Sequence, residues 1–392
     1  MKTSPFRSAI IACALLSAAG CTLPPGVEEP PRPVAPATLP GWTADPLDGV
    51  STTLARQCAM KTPPGPWPAL CTELAALPAA PAGPGAGPAA LREWLERRFE
   101  AWPLRDAQGG FDGLVTGYYE PLLTGSRVRE RASQVPLYAR PPDLLTIDLT
   151  ALDPRLRGMR LRGRLNGQRV IPYHSRAEID TARPLDPHAL LWVDDPVDAF
   201  FLEIQGSGRV RLRDGSLARV GYADQNGHPY RAIGRTLIER GALQPAEVTA
   251  PSIRRWLRDH PAEAASVMHT NPSVVFFREL PPLPPAAPGE PEPGPPGSLG
   301  VPLTATRSLA VDRSVVPLGS LVWLDTAHPV DATPLRRVMA AQDTGGAITG
   351  RIRADFFWGF GPSAEQAAGT MRARGRMWVL WPRGEAPPPF NR

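Results

Sequence analysis

The chain reads as a mainly β protein with a small barrel in its C-terminal part, on three observations. Beyond Gly300, Ser308 to Asp312, Leu321 to Asp325, Arg337 to Gln342 and Met377 to Trp381 are short apolar runs divided by Gly or Pro, with one helical pattern at Ala364 to Ala373. Several short strands with few helices point to a barrel. The middle region is mostly strands and turns, with a strong hairpin signal at Asp214-Gly215. Gly113 to Glu120 (GLVTGYYE), rich in aromatic and β-branched residues, is a further strand upstream of both.

At the N-terminus, Lys2 and Arg7 flank the start of an apolar run from Ala9 to Ala19. It is too short to cross a bilayer, which takes about 20 apolar residues, and has the form of a secretory signal. Leu16 to Cys21 (LSAAGC) resembles a lipobox, with Ala18 where Leu is usual. Residues 1–20 are therefore expected to be a signal peptide and Cys21 the site of lipidation; ordinary cleavage with Cys21 left plain is the bland alternative. Thr22 follows where an Asp would favour retention in the inner membrane, which points to the outer membrane. With Cys13 removed, Cys58 and Cys71 are a single pair in an oxidising compartment, best read as a structural disulfide. Three stretches look too rich in Pro and Gly for packed core: a tether at Glu28 to Pro40, a loop at Pro78 to Ala90 and a linker at Leu280 to Gly300.

Leu91 to Trp102 has the period of an amphipathic helix stopped by Pro103. Phe200 to Gln205 (FFLEIQ) alternates and predicts a strand turned by Gly206-Ser207-Gly208, with Arg209 to Arg213 and Ala218 to Tyr222 forming the following hairpin. Tyr230 to Arg240 predicts a helix ended by Gly241, Ser252 the N-cap of another, and Val274 to Phe277 a buried strand.

The formal charge is +5, or +3 without Lys2 and Arg7, and nearly every cation is Arg. That balance does not argue for nucleic acid, which needs clustered basic residues. His174, His228 and His260 are scattered without ligand spacing, so no metal or cofactor is expected, and Ser207 lacks the context of a nucleophile elbow.

The densest polar signal is Gln342 to Gly361 (QDTGGAITGRIRADFFWGFG). Asp343 and Asp355 bracket a turn in which Gly345, Gly346 and Gly350 permit positive φ and close approach to a ligand. Asp355 lies among Phe356, Phe357 and Trp358, and an apolar frame raises a carboxyl pKa toward that of a general acid. Periodicity alone leaves open that both aspartates merely cap turns.

This region resembles the three-aspartate barrel domain of cell-wall enzymes, through Ala310 to Gly319, Gln342 to Ile348 and Ala354 to Gly359. Thr116 to Pro121, Ser175 to Ile179, Leu202 to Gly208, Asn226 to Tyr230 and Asn271 to Ser273 resemble, in order, the membrane-bound lytic murein transglycosylase A family. The resemblance implies a double-psi β-barrel domain built from both chain ends (91–121 plus 279–392), with a smaller inserted substrate-binding β domain at 122–278, a few peripheral helices, and residues 21–90 as tether and disulfide loop. It implies Asp355 as catalytic acid/base, Asp343 as its support and Asp312 as the first of the three aspartates. Tyr118, Tyr119, Glu203, Gln205, Ser207, Gly345 and Gly346 fall on its groove segments and are the expected sugar contacts.

The implied partner is the peptidoglycan glycan strand, with the membrane reached through the lipid anchor at the periplasmic face. The implied reaction cleaves the β-1,4 bond between MurNAc and GlcNAc and closes a 1,6-anhydro ring, using one carboxyl where a hydrolase uses two. The rivals are a non-catalytic glycan-binding envelope lipoprotein and a true peptidoglycan hydrolase.

Overall fold

A computed structural model describes residues 32–79, 85–156, 159, 161–283 and 290–386. The signal segment and Cys21 lie outside them. The part of the chain that places the site is a seven-stranded sheet in the order Phe99–Pro103, Arg372–Pro382, Leu321–Ala327, Pro334–Asp343, Ser308–Val311, Arg353–Phe360, Gly113–Glu120. The last strand also pairs with Arg372–Pro382, from Thr116 against Arg372 to Gly113 against Gly375, so six of the seven strands close into a ring. Strands from before residue 121 and after residue 300 therefore share one sheet. Closure removes the unpaired edges that would otherwise recruit another chain. The interior is filled by the inward half of each strand, among them Val115, Val311, Val322, Met339, Ala354, Phe356 and Val379.

The intervening residues build a second, six-stranded sheet in the order Val275–Leu280, Leu217–Gln225, Ser207–Arg211, Leu122–Ser126, Ala189–Val193, Val135–Tyr138. Its own apolar core includes Leu123, Leu191, Leu202, Val210, Val220 and Phe277. Where the chain passes from one sheet to the other, Glu120 is fully buried and its Oε2 accepts from Arg209 Nε at 2.9 Å. The same guanidinium lies 3.9 Å over the Phe360 ring of the closed sheet. A buried charge left alone would cost several kcal/mol, so this pair fixes the crossing of the two sheets.

Several sequence expectations are corrected here. Leu91 to Trp102 is not one helix: the helix is Pro88–Arg98, and Phe99–Pro103 is a strand alternating buried and half-buried against Arg372–Pro382. Phe200 to Gln205 is not a strand but the end of the helix Pro196–Gln205. Asp195 caps it by accepting from Val197 N at 2.7 Å, Pro196 supplies the preset first turn, and Gly206 ends it at φ 78°. The apolar residues 197, 200 and 201 bury one helical face. The helix expected from Tyr230 begins only at Ile233, and Thr249 rather than Ser252 caps Ala250–Asp259.

The Pro-rich stretches are also more structured than their composition suggests. Within the expected tether, Val34 pairs with Ala101, and Pro36 and Leu39 are buried. Ala86 and the first turn of the Pro88 helix take up the end of the expected loop. Helices Val50–Cys58 and Trp67–Ala75 pack with Trp42 and Trp94 on the outside of the closed sheet at Trp323. Cys58 and Cys71 are bonded between those helices, a closure of 13 residues worth about 3 kcal/mol in the chain-entropy model. Arg307, almost wholly buried, ties this N-terminal layer to the sheet through Asp45 Oδ1 at 2.7 Å and Oδ2 at 2.9 Å.

Candidate active site

Asp355 owes its place to strand alternation. In Arg353–Phe360 the side chains of Ala354 and Phe356 go into the closed interior, which sends that of Asp355 to the opposite face. Parallel pairing sets it level with Thr116 on one side, and antiparallel pairing sets it level with Ala310 on the other. Ala310 is in turn level with Asp343 on the next strand. The two carboxylates thus flank a single methyl group, two strand spacings or roughly 10 Å apart at the backbone. A larger residue at 310 would fill the space between them.

Each carboxylate has a distinct environment. Thr116 Oγ1 donates to Asp355 Oδ1 at 2.6 Å. Burial raises the Asp355 pKa to about 6, with the Thr116 hydrogen bond and Arg353 pulling it down and the charge of Asp343 pushing it up. Asp355 therefore changes protonation in the range a general acid needs. Asp343 is raised by burial but carries more compensation. Its Oδ1 accepts from Ser298 N, Ser298 Oγ and Thr344 N, each at 2.9 Å, and its Oδ2 accepts from Tyr118 OH at 3.0 Å. Burial and the two carboxylates hold the Tyr118 hydroxyl well above its ordinary pKa, so it stays a donor. The Tyr118 ring packs on Phe357, centroids 5.1 Å apart, beneath the site.

The cleft between the two sheets, about 1640 Å³, is lined by both carboxylates and by Tyr118, Tyr119, Glu203, Gln205, Ser207, Asp312, Gly345 and Gly346. The structure thus brings every sequence-derived polar site residue to one cavity, but not all have free polar atoms. Glu203 is held by Arg176 at 2.9 and 2.8 Å and accepts from Val275 N at 2.8 Å. Gln205 Oε1 accepts from Tyr119 N at 3.0 Å, joining the end of the Pro196–Gln205 helix to the closed sheet. Tyr119 OH accepts from Arg254 at 3.2 Å. Asp312 binds its own turn through Ser314 and receives Gly350 N at 2.8 Å, so it braces the loop that carries the glycines. Of those glycines only Gly350 has positive φ, 115°, which corrects the expectation for Gly345 and Gly346. At Gly345 a Cβ would come within 2.7 Å of Ile348, so close packing is the reason for a glycine there.

Among the lining residues that the sequence reading missed, four bear directly on the site. Thr116 lies inside the recognised strand but gains meaning only from its register with Asp355. Ser298 sits in the stretch read as linker. Tyr222 and Tyr230 line the same cavity with 38% and 45% of their surface exposed, an unusual exposure for aromatic rings in a concave site. His228 Nε2 is 2.8 Å from Tyr173 O, and His260 stacks on Trp256, which gives both a structural place.

A family model described as the MltA specific insert domain matches residues 114–278, and one described as the 3D domain matches residues 307–381. The membrane-bound lytic murein transglycosylase A of Escherichia coli (strain K12) is 33% identical over 310 residues, 74% of this chain and 74% of that protein. The crystal structure of MltA from Neisseria gonorrhoeae, monoclinic form, superposes with a TM-score of 0.76 at 33% identity, covering 91% of this chain and 93% of that one. The structure of E. coli MltA with bound chitohexaose has a TM-score of 0.60 at 30% identity, covering 74% and 81%. A mostly β fold with this closed sheet, two carboxylates across one alanine and these likenesses along most of its length lead to one conclusion: the chain belongs to the membrane-bound lytic murein transglycosylase A family.

Proposed function

We propose that this protein is a peptidoglycan lytic transglycosylase in which Asp355 is both acid and base. The carrying observation is one carboxyl with a pKa near 6 at the floor of a long cleft, beside a second carboxylate whose Oδ1 is already filled by three donors. Protonated Asp355 gives its proton to the oxygen of the β-1,4 bond, the bond from MurNAc C1 breaks, and positive charge develops at C1. The Asp355 carboxylate then takes the proton of the MurNAc 6-hydroxyl as O6 bonds to C1. The 1,6-anhydro ring closes, no water is consumed, and the enzyme returns to its starting protonation.

Asp343 is poorly suited to activate a water, because its lone pairs are engaged by Ser298, Thr344 and Tyr118. That argues against hydrolysis by two carboxylates. Tyr118 and Asp343 support the acid. Tyr119, Glu203, Gln205, Ser207, Gly345 and Gly346 shape the groove, with Asp312 bracing its loop. Residues 122–278 serve as the substrate-binding insert, and 91–121 with 279–392 as the catalytic double-psi unit. The partner is the glycan strand of peptidoglycan, the ligand class of the chitohexaose-bound relative. Lipid on Cys21 anchors the enzyme to the periplasmic face of the outer membrane.

The test is digestion of purified peptidoglycan in ¹⁸O-labelled water, with the products read by mass spectrometry. Anhydro ends without ¹⁸O are expected, and Asp355→Asn should cut turnover at least ~10²-fold while glycan binding persists. Reducing ends carrying ¹⁸O would make the enzyme a hydrolase, and a fully active Asp355→Asn would remove the assigned acid.

A further inference from the structure

The segment Pro291 to Gly300 (PEPGPPGSLG) has a composition that ordinarily stays extended and solvated. Here it is tied down at each step. Arg56 donates to Pro291 O at 2.8 Å, Arg209 pairs with Glu292 at 2.6 Å, and Arg219 reaches Gly294 O at 3.3 Å. Pro293–Pro296 pairs with Pro302–Thr304, and Leu299 N donates to Gln342 O at 3.0 Å. Two of its glycines are required by contact. A Cβ on Gly294 would meet the Phe357 ring at 2.8 Å, and one on Gly297 would meet Gln342 O at 2.5 Å. The strap therefore lies directly on the strands that carry the two carboxylates, fastened from the N-terminal layer, the insert and the closed sheet.

Its product is Ser298, whose amide and hydroxyl both donate to Asp343 Oδ1 while the hydroxyl lies 2.8 Å from Thr344 Oγ1. We propose that Ser298 is a positioning residue of this active site, delivered by the Pro-rich strap to hold Asp343 as an oriented anion beside the reacting centre. This rests on the lytic transglycosylase reading, in which positive charge develops at C1 in the cleft that both carboxylates line. A fixed anion there stabilises that charge without reorganising during the step. It also fixes the field in which Asp355 cycles its proton.

The groups facing Asp343 are Tyr118 from Gly113–Glu120, Asp355 from the Arg353 strand, and Ser298 and Thr344. Burial lifts Asp343, and the Ser298 and Thr344 amides, the Ser298 hydroxyl and Tyr118 oppose that lift. Removing a donor to the ionised form moves the titration to higher pH.

The experiment uses the full chain with Ser298→Ala and Ser298→Thr, measuring kcat and KM on purified peptidoglycan against pH. In parallel, ¹³C-carboxyl titration follows the aspartates, with Asp343 assigned by Asp343→Asn. Ser298→Ala should lower kcat about tenfold with KM changing less than twofold, and raise the acid limb by about one pH unit. The Asp343 resonance should shift in the same sense, and Ser298→Thr should restore both. An Asp343 titration unchanged in Ser298→Ala, or a loss confined to KM, overturns the proposal. The carboxyl titration does not depend on turnover, so it decides the role of Ser298 even if the wild-type products are not anhydro sugars.

Discussion

Replacing Thr116 by Val keeps the shape of the side chain and removes one contact, the 2.6 Å donation to Asp355 Oδ1. That donor favours the carboxylate, so its loss must raise the Asp355 pKa. A hydrogen bond to a charged group is worth about 1.5–3 kcal/mol, and each pKa unit about 1.4 kcal/mol. Because Asp355 is open to the cleft, water recovers part of the loss, and about one unit is the expected shift. The alkaline limb of kcat/KM, which reports the free enzyme's acid, should move from about 6 to about 7. At pH 7 the protonated fraction would rise from roughly one-tenth to one-half. The ratio of activity at pH 7 to the pH-independent maximum of the fitted profile should therefore increase about fivefold. Using this ratio cancels any loss of orientation that lowers the whole profile. The assay is release of soluble muropeptides from sacculi between pH 4 and 9. An alkaline limb that stays put or moves down would mean that Asp355 is not the acid, or that Thr116 does not stabilise its ionised form.

Two other perturbations test parts of the molecule away from the reaction. Asp45→Asn leaves the almost fully buried Arg307 with the exposed Asp48 as its one carboxylate partner beside the Val338 carbonyl, and should cost about 3 kcal/mol in denaturant unfolding at neutral pH. A change below about 1 kcal/mol would show that the N-terminal layer contributes little to the stability of the closed sheet. Cys21→Ser should abolish palmitate incorporation and release the protein from the membrane fraction, because stable anchoring takes more than one acyl chain. A wild-type protein found soluble in the periplasm would overturn the anchor.

Apolar, β-branched and aromatic runs bounded by Gly or Pro were legible from the residues alone, because composition and punctuation agree on a strand. Gly113 to Glu120 is a strand with the limits read from sequence, and the four strands read after Gly300 recur with shifted ends, but Arg353–Phe360, which carries Asp355, was not read as a strand. Segments whose pattern fits two periods were not legible. Six residues such as Phe200 to Gln205 fit a strand's period and a helix's face equally well, and the cap at Asp195 decides between them. Leu91 to Trp102 was divided by a partner strand near residue 380, which no local pattern announces.

The site divides along the same line. The sequence by itself determined that the chemistry belongs to aspartates in a glycine- and aromatic-rich segment, because residue type and spacing carry that information along the chain. It could not determine their protonation, which depends on groups brought from 45 and 239 positions away: Ser298 for Asp343 and Thr116 for Asp355. Nor could it see that a proline-rich stretch would be fastened onto the closed sheet. Composition describes how such a stretch behaves without contacts, and Arg56, Arg209 and Gln342 supply contacts from distant parts of the chain. Only the tertiary structure decided those, since a hydrogen bond depends on distance in space and not on separation in sequence.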